Sequence, residues 1–182
     1  PDGTLDLSFT PIAPNPGTVT GLEVLPDDRF IITGIFVVPG HPGQVRAVRF
    51  MPDGSLDQVL ATMSNVNSVI VSVLTLPDGR IAIAGGFTTV QGQSRHGIAL
   101  LTSNGVLDPT FDPGTGIDVS LFPVQRLALS SSGKLYVMGK FTQYNGTSLS
   151  NLVRLETSGM IDPTWNTTNI FSDFVTTVVE LA

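Results

Sequence analysis

Apolar positions in this chain fall in short runs separated by turn signals. The clearest is "LPDGRIAIAGGF" (76–87), where a Pro-Asp-Gly turn leads into a segment whose side chains are nearly all apolar or absent. Strict apolar/polar alternation marks a sheet with one wet face, so a run that is apolar at consecutive positions predicts a strand covered on both faces. No window of useful length carries the 3.6-residue apolar period of an amphipathic helix, and the many β-branched residues favour strands. The pattern predicts an all-β chain.

Laid over the remainder, that run finds "LPDDRFIITGIF" (25–36) and "SSSGKLYVMGKF" (130–141). Gly34, Gly85 and Gly139 then share one column and Phe36, Phe87 and Phe141 another, at a nearly constant step. A second motif keeps the same step: Asp2-Gly3-Thr4-Leu5-Asp6, Asp53-Gly54-Ser55-Leu56-Asp57, Asn104-Gly105-Val106-Leu107-Asp108 and Ser158-Gly159-Met160-Ile161-Asp162. Three residues after its last Asp, each has a large apolar residue: Phe9, Leu60, Phe111 or Trp165. Paired apolar positions head the units at Val19 and Leu22, Ile70 and Val73, Val124 and Leu127, and Val175 and Val178. A fixed period over several columns is the signature of a repeat architecture.

Within a unit, two turn sites lie half a period apart, and Asp-Gly or Asn-Gly between apolar runs signals a hairpin whose two central residues take positive φ. Each unit therefore reads as two hairpins in series, four short strands, with Val37–Gln44, Thr88–Arg95 and Thr142–Ser150 as loops. The expected boundaries are 1–15 for the tail of a preceding blade, 16–66, 67–117 and 118–169 for three blades, and 170–182 for the first strand of a following one. Strands greasy on both faces need sheets stacked face to face, and four-stranded sheets stacked radially at this period make a β-propeller. In that arrangement Ala82, Ala84 and Gly85 let neighbouring sheets approach near the axis, and the recurring Phe fills the wedge that opens outward. A parallel β-helix is the alternative, but its rungs are shorter and lack paired Asp-Gly turns.

The "LPDGRI-x-I-x-G-x-F" stretch paired with "DG-x-LD-x-x-F", repeated along essentially the whole chain, resembles the delta-60 repeat, a bacterial propeller-type repeat. Departures are Asp28 in place of the first turn Gly, Ser130-Ser131-Ser132-Gly133-Lys134 in place of Pro-Asp-Gly-Arg, and Leu60 and Trp165 in place of Phe. The resemblance implies a propeller found in long secreted or surface-anchored bacterial proteins and in phage particles, and it brings no catalytic residues. Three blades do not close a ring, and the chain begins inside a motif without an initiator Met. The expected partners are thus the rest of a larger propeller or further copies of the chain.

Composition narrows the function. The net charge of −6, with only 9 Lys and Arg scattered along the chain, argues against nucleic acid and against an anionic membrane surface. With no cysteine, disulfides and thiolate metal sites are excluded, and no apolar run reaches the length of a membrane span.

Candidate chemistry is thin. The recurring Asp6, Asp57, Asp108 and Asp162 are expected to accept backbone N–H bonds after tight turns rather than to form a cation-binding ring, and Asp27, Asp28 and Asp53 are read as turn residues. No segment carries the alternating oxygen donors of a calcium loop. His41 and His96 stand in unrelated columns, so neither a metal site nor a triad is argued from them. Ser130, Ser131 and Ser132 lack a nucleophile-elbow context. "GGF" (85–87) and "GTG" (114–116) are followed by no helix that would make a phosphate cradle. Trp165 is expected in the core. Tyr144, in "QYNGTS", is the one aromatic in a polar loop and the one candidate for stacking on a ligand ring. Asn145-Gly146-Thr147 and Asn166-Thr167-Thr168 match a glycosylation sequon.

The sequence thus points to a non-enzymatic structural or adhesive module of an extracellular, cell-surface or virion protein, with no cofactor and no metal, presenting loops to proteins or surface glycans. A carbohydrate-binding or carbohydrate-active propeller is the alternative. Glycosidase chemistry needs paired carboxylates, and Thr88–Arg95 and Thr142–Ser150 contain no Asp or Glu.

Overall fold

A computed structural model describes residues 3–4, 6–10, 17–62, 64–118, 124–165 and 175–178. In the first sheet β1 (Thr18–Val24), β2 (Phe30–Val37), β3 (Gln44–Phe50) and β4 (Leu56–Thr62) pair in chain order as an antiparallel meander. The second begins with β5 (Ile70–Thr75) and β6 (Ile81–Gly85), passes through a short hairpin of β7 (Thr89–Val90) and β8 (Gln93–Ser94), and returns as β9 (Ile98–Leu101). The third repeats it with β10 (Val124–Leu129), β11 (Leu135–Gly139), hairpin β12 (Gln143–Tyr144) and β13 (Thr147–Ser148), and β14 (Leu152–Leu155). No helix occurs among the described residues, and the chain is the all-β, blade-by-blade array that the columns predict.

Four strands per blade hold only for the first sheet. In the second and third the fourth strand shrinks to single bridges, Leu101 to Leu107 and Leu155 to Ile161. The cause lies just after the recurring Asp, where blade 1 continues Asp57-Gln58-Val59 and blades 2 and 3 have Asp108-Pro109-Thr110 and Asp162-Pro163-Thr164. Proline offers no N–H to a ladder, and Ser or Thr two residues after Asp closes a local turn instead of a strand.

The turns have a different geometry from the one expected. At Leu25–Arg29 the Leu25 N–H donates to the Arg29 carbonyl (2.7 Å) and the Asp28 N–H to the Leu25 carbonyl (3.0 Å). The same pair of bonds closes Met51–Ser55, Leu76–Arg80, Thr102–Val106, Ser130–Lys134 and Glu156–Met160. Only the last loop residue takes positive φ, Gly79 at 85° and Asp28 at 64°, which marks a three-residue loop rather than a two-residue one. The two-residue turn with both φ positive occurs instead at Gln91-Gly92 and Asn145-Gly146, at the tips of the β7–β8 and β12–β13 hairpins. Those segments are ordered hairpins where loops were expected, because each tip residue is tied to a neighbouring segment: the Gln91 N–H donates to the Asn65 carbonyl (2.6 Å) and the Asn145 N–H to the Gly116 carbonyl (2.7 Å).

Innermost strands β1, β5 and β10 lie side by side. They are stitched by the Thr20 hydroxyl on the Ile70 carbonyl, the Thr75 N–H on Glu23 Oε1 (3.2 Å) and the Leu127 N–H on Ser72 Oγ (3.0 Å). Together with Thr177 and Val178 they line a cavity of about 590 Å³. One core lies between sheets 1 and 2 and holds Phe87; the next lies between sheets 2 and 3 and holds Phe141. The small side chains Ala82 and Ala84 face Val124 and Leu127 of the following blade, as expected. The glycine column serves another purpose. A Cβ on Gly85 would lie 2.2 Å from the Val69 carbonyl oxygen and one on Gly34 1.9 Å from that of Thr18, so these glycines admit the bulged inner strand of their own sheet rather than the neighbouring sheet. Val175 and Val178 pack on Tyr136, Met138 and Leu152, the place on sheet 3 that Val124 and Leu127 occupy on sheet 2.

Candidate binding surfaces of the array

One end of each sheet carries the tight turns, and there the recurring Asp residues meet partners that the columns do not reveal. Arg29, Arg80 and Lys134 share the position after the turn, and each reaches the recurring Asp half a repeat further along: Arg29 Nη1 to Asp57 at 3.3 Å, Arg80 Nη1 to Asp108 at 3.1 Å and Lys134 Nζ to Asp162 at 2.9 Å. The expected turn bonding holds for three of the four. Asp6, Asp108 and Asp162 accept the N–H and hydroxyl of Ser8, Thr110 and Thr164. Asp57 sits in β4 and accepts guanidinium groups of Arg49 and Arg29 instead, since Val59 supplies no hydroxyl and the strand runs on. Burial pushes the Asp162 carboxyl up, but bonds from Lys134, Thr164 and Arg154 outweigh it and hold it far below the ordinary carboxylate range.

The other candidates find structural surroundings. Asp27 Oδ2 accepts Arg29 Nε at 2.8 Å, Asp53 accepts the Ser55 N–H, and Asp28 fills the positive-φ turn position. Ser130 Oγ meets Ser132 Oγ and accepts the Lys134 N–H, closing the turn that lacks Pro-Asp. The amides of the Gly114–Gly116 stretch are engaged by Asp112, Asn145 and Pro113. His41 and His96 lie in separate blade connections, and no cluster of three His, Cys, Asp or Glu side chains that could hold a metal occurs among the described residues. Trp165 is half-buried and stands edge-on to Tyr136 (5.7 Å) beneath the Arg154 guanidinium (5.2 Å). Asn166 lies outside the described residues.

Tyr144 corrects the one ligand-stacking candidate. Its ring is fully buried between sheets 2 and 3, bridged to Ile117, and its hydroxyl donates to the Gly159 carbonyl, so neither face is open to a ligand. The polar neighbours in "QYNGTS" are the exposed tip of a hairpin whose alternate position points inward.

At the opposite end, each connection joins a second strand to a third. Asn67 fixes the base of the β7–β8 hairpin by accepting the Thr88 and Thr89 N–H groups (2.9 and 3.0 Å), and Asp118 does the same for Thr142 and Gln143 (3.0 and 3.2 Å). What these hairpins leave exposed is uncharged amide and hydroxyl: Gln93 and Ser94 in one, Gln143, Asn145, Thr147 and Ser148 in the other.

The comparison with known proteins shows the same periodicity. A family described as "domain of unknown function (DUF5122) beta-propeller" matches residues 25–58, 76–111 and 130–164, together more than half the chain. Among solved structures, a Thermus thermophilus protein described as an oxidoreductase (glucose dehydrogenase) superposes with a TM-score of 0.55 at 20% identity. The match covers 85% of this chain and 48% of that one, so this chain spans about half that protein's length, and the likeness is one of fold. No curated protein matches. Since the matched segments fall on three successive sheets, each starting at the turn before its second strand, this chain belongs to that β-propeller family of unknown function.

Proposed function

We propose that the chain is a non-enzymatic propeller module of the delta-60 kind, in an extracellular, cell-surface or virion protein, whose second-to-third-strand connections hold a protein or glycan partner. The supporting observation is the ordering of the β7–β8 and β12–β13 hairpins on the preceding connection: the Asn67 and Asp118 side chains hold their bases, and the Asn65 and Gly116 carbonyls hold their tips. A preformed tip loses little conformational freedom on binding, and uncharged amides and hydroxyls match the hydrogen-bonding edges of a sugar or a polypeptide better than a polyanion. The face of sheet 1 that carries Val19, Leu22 and Val24 is taken, in this reading, by another blade, from a longer chain or a further copy.

Screening the chain on a glycan array and against candidate surface proteins, followed by surface plasmon resonance, tests the reading. Simultaneous Gln93→Ala, Ser94→Ala, Gln143→Ala, Thr147→Ala and Ser148→Ala should weaken any ligand found by about tenfold or more and leave the thermal midpoint unchanged. Binding that survives all five substitutions, or turnover of glucose with an artificial electron acceptor, would overturn it.

A further inference from the structure

At the turn end, away from those hairpins, sheets 1 and 2 part to leave a groove of about 660 Å³ between the Leu25–Arg29 and Leu76–Arg80 turns. Exposed Pro26 and Pro77 line it beside the buried core residues Leu25, Ile31 and Ile81. Its polar edge carries Glu23, Arg29, Arg49 and Thr75.

The charges there do not balance. Arg29 is held by Asp27 (2.8 Å) and Asp57 (3.3 Å), while Arg49 is held by Asp57, by Gln58 Oε1 (2.9 Å) and by the Ser103 carbonyl (2.7 Å). Glu23 has no ion-pair partner among the described residues, and its carboxylate accepts a single bond, from the Thr75 N–H. Beside it the Thr75 hydroxyl is buried with no partner. A half-buried carboxylate without a counter-charge is unfavourable, and the fold does not demand one here. At the junction of sheets 2 and 3 the equivalent positions of Glu23 and Arg49 are Leu74 and Leu100, which pack into the core. The same repeat therefore closes one junction with two leucines and leaves the other open around an acid.

We propose that this groove binds a small organic cation, an ammonium group carried on an apolar body. The ammonium donates to the Glu23 carboxylate and to the Thr75 hydroxyl oxygen, and the body lies along Pro26 and Pro77. The two arginines do not repel it strongly, because Asp27 and Asp57 already match their charge.

Phenethylammonium and its neutral counterpart 2-phenylethanol, titrated into the full chain while amide chemical shifts are followed, test the assignment. The ammonium should move the Thr75 and Ser103 amides saturably at millimolar concentration and bind about tenfold tighter than the alcohol. Glu23→Gln keeps an oxygen for the Thr75 N–H, so it should fold normally, abolish the preference and leave the alcohol unaffected. Ser103→Trp, at an exposed turn position on the groove's lip, should block both compounds. Equal affinity for the two compounds, a preference that persists in Glu23→Gln, binding that persists in Ser103→Trp, or no saturable shift in the groove would each overturn the proposal.

Discussion

Asp162 is the most fully engaged carboxylate among the described residues. Its side chain is fully buried, one oxygen takes the Thr164 N–H and hydroxyl and the Lys134 ammonium, and the other takes Arg154 Nε at 2.6 Å. Removing its charge leaves two cations facing a neutral amide, whereas the exposed Asp6 carboxylate takes the Ser8 N–H and hydroxyl and pairs with no cation among the described residues. Asp162→Asn should therefore lower the thermal midpoint by several degrees and Asp6→Asn by far less, measured by circular dichroism melting. The same residues set the acid limit. Asp57, Asp108 and Asp162 all have folded pKa values below the ordinary carboxylate range, so their stabilisation is complete above about pH 4 and is lost as pH falls through the lower folded values. Glu23 runs the other way, since burial raises its pKa and protonation relieves it, but it is one group against three. A melting series should give a flat midpoint from pH 7 to about pH 5 and a steep fall below about pH 4. A midpoint that rises on acidification would show that Glu23 outweighs the other three.

The difference between blade 1 and its neighbours lies in the two residues after the recurring Asp, Gln58-Val59 against Pro-Thr. Gln58 continues β4, pairs with Arg49 across the ladder, accepts Arg49 Nη2 and donates Nε2 to the Asn104 carbonyl (2.9 Å). Gln58→Pro removes all three interactions and places in blade 1 the proline that blades 2 and 3 carry at that position. At about 0.5–1.5 kcal/mol for each hydrogen bond the cost should be about 2–4 kcal/mol in denaturant unfolding. Hydrogen exchange should show protection lost over Val59–Thr62 and retained in β10–β14. Strand positions, turn sites and stacked faces were legible because a repeat imposes one physical requirement at one column several times over. Features that join columns were not. The ladder from Arg29, Arg80 and Lys134 to Asp57, Asp108 and Asp162 crosses half a repeat and is evident only once the sheet folds. Tyr144 reads as polar-loop sequence because the Ile117 segment that bridges it belongs to the preceding blade connection. The groove at Glu23 belongs to neither sheet, since it arises where two sheets diverge, and only the substitution of Glu for Leu at that column hints at it.

For the array as a whole, stability rests on neighbours. In a stacked-repeat molecule each sheet is held by its interfaces, so one column should carry different energetic weight at different places. The column of Leu22, Val73 and Leu127 provides that comparison: Val73 and Leu127 are 7% and 5% exposed against the preceding sheet, whereas Leu22 is 62% exposed. Val19 and Val24 on the same strand are 52% and 61% exposed, so this face of sheet 1 is uncovered where the equivalent positions of sheets 2 and 3 are packed. Leu127→Ala should cost about 2–5 kcal/mol, as truncation of a buried leucine does, while Leu22→Ala should change the unfolding free energy by less than about 0.5 kcal/mol in dilute solution. If blades of a longer chain or of a second copy cover that face, the two costs converge, and with a second copy the cost of Leu22→Ala grows with protein concentration. Denaturant unfolding at two concentrations separates these cases. Equal costs at low concentration would mean that the first sheet is already capped, and unequal costs at every concentration that this face stays open to solvent.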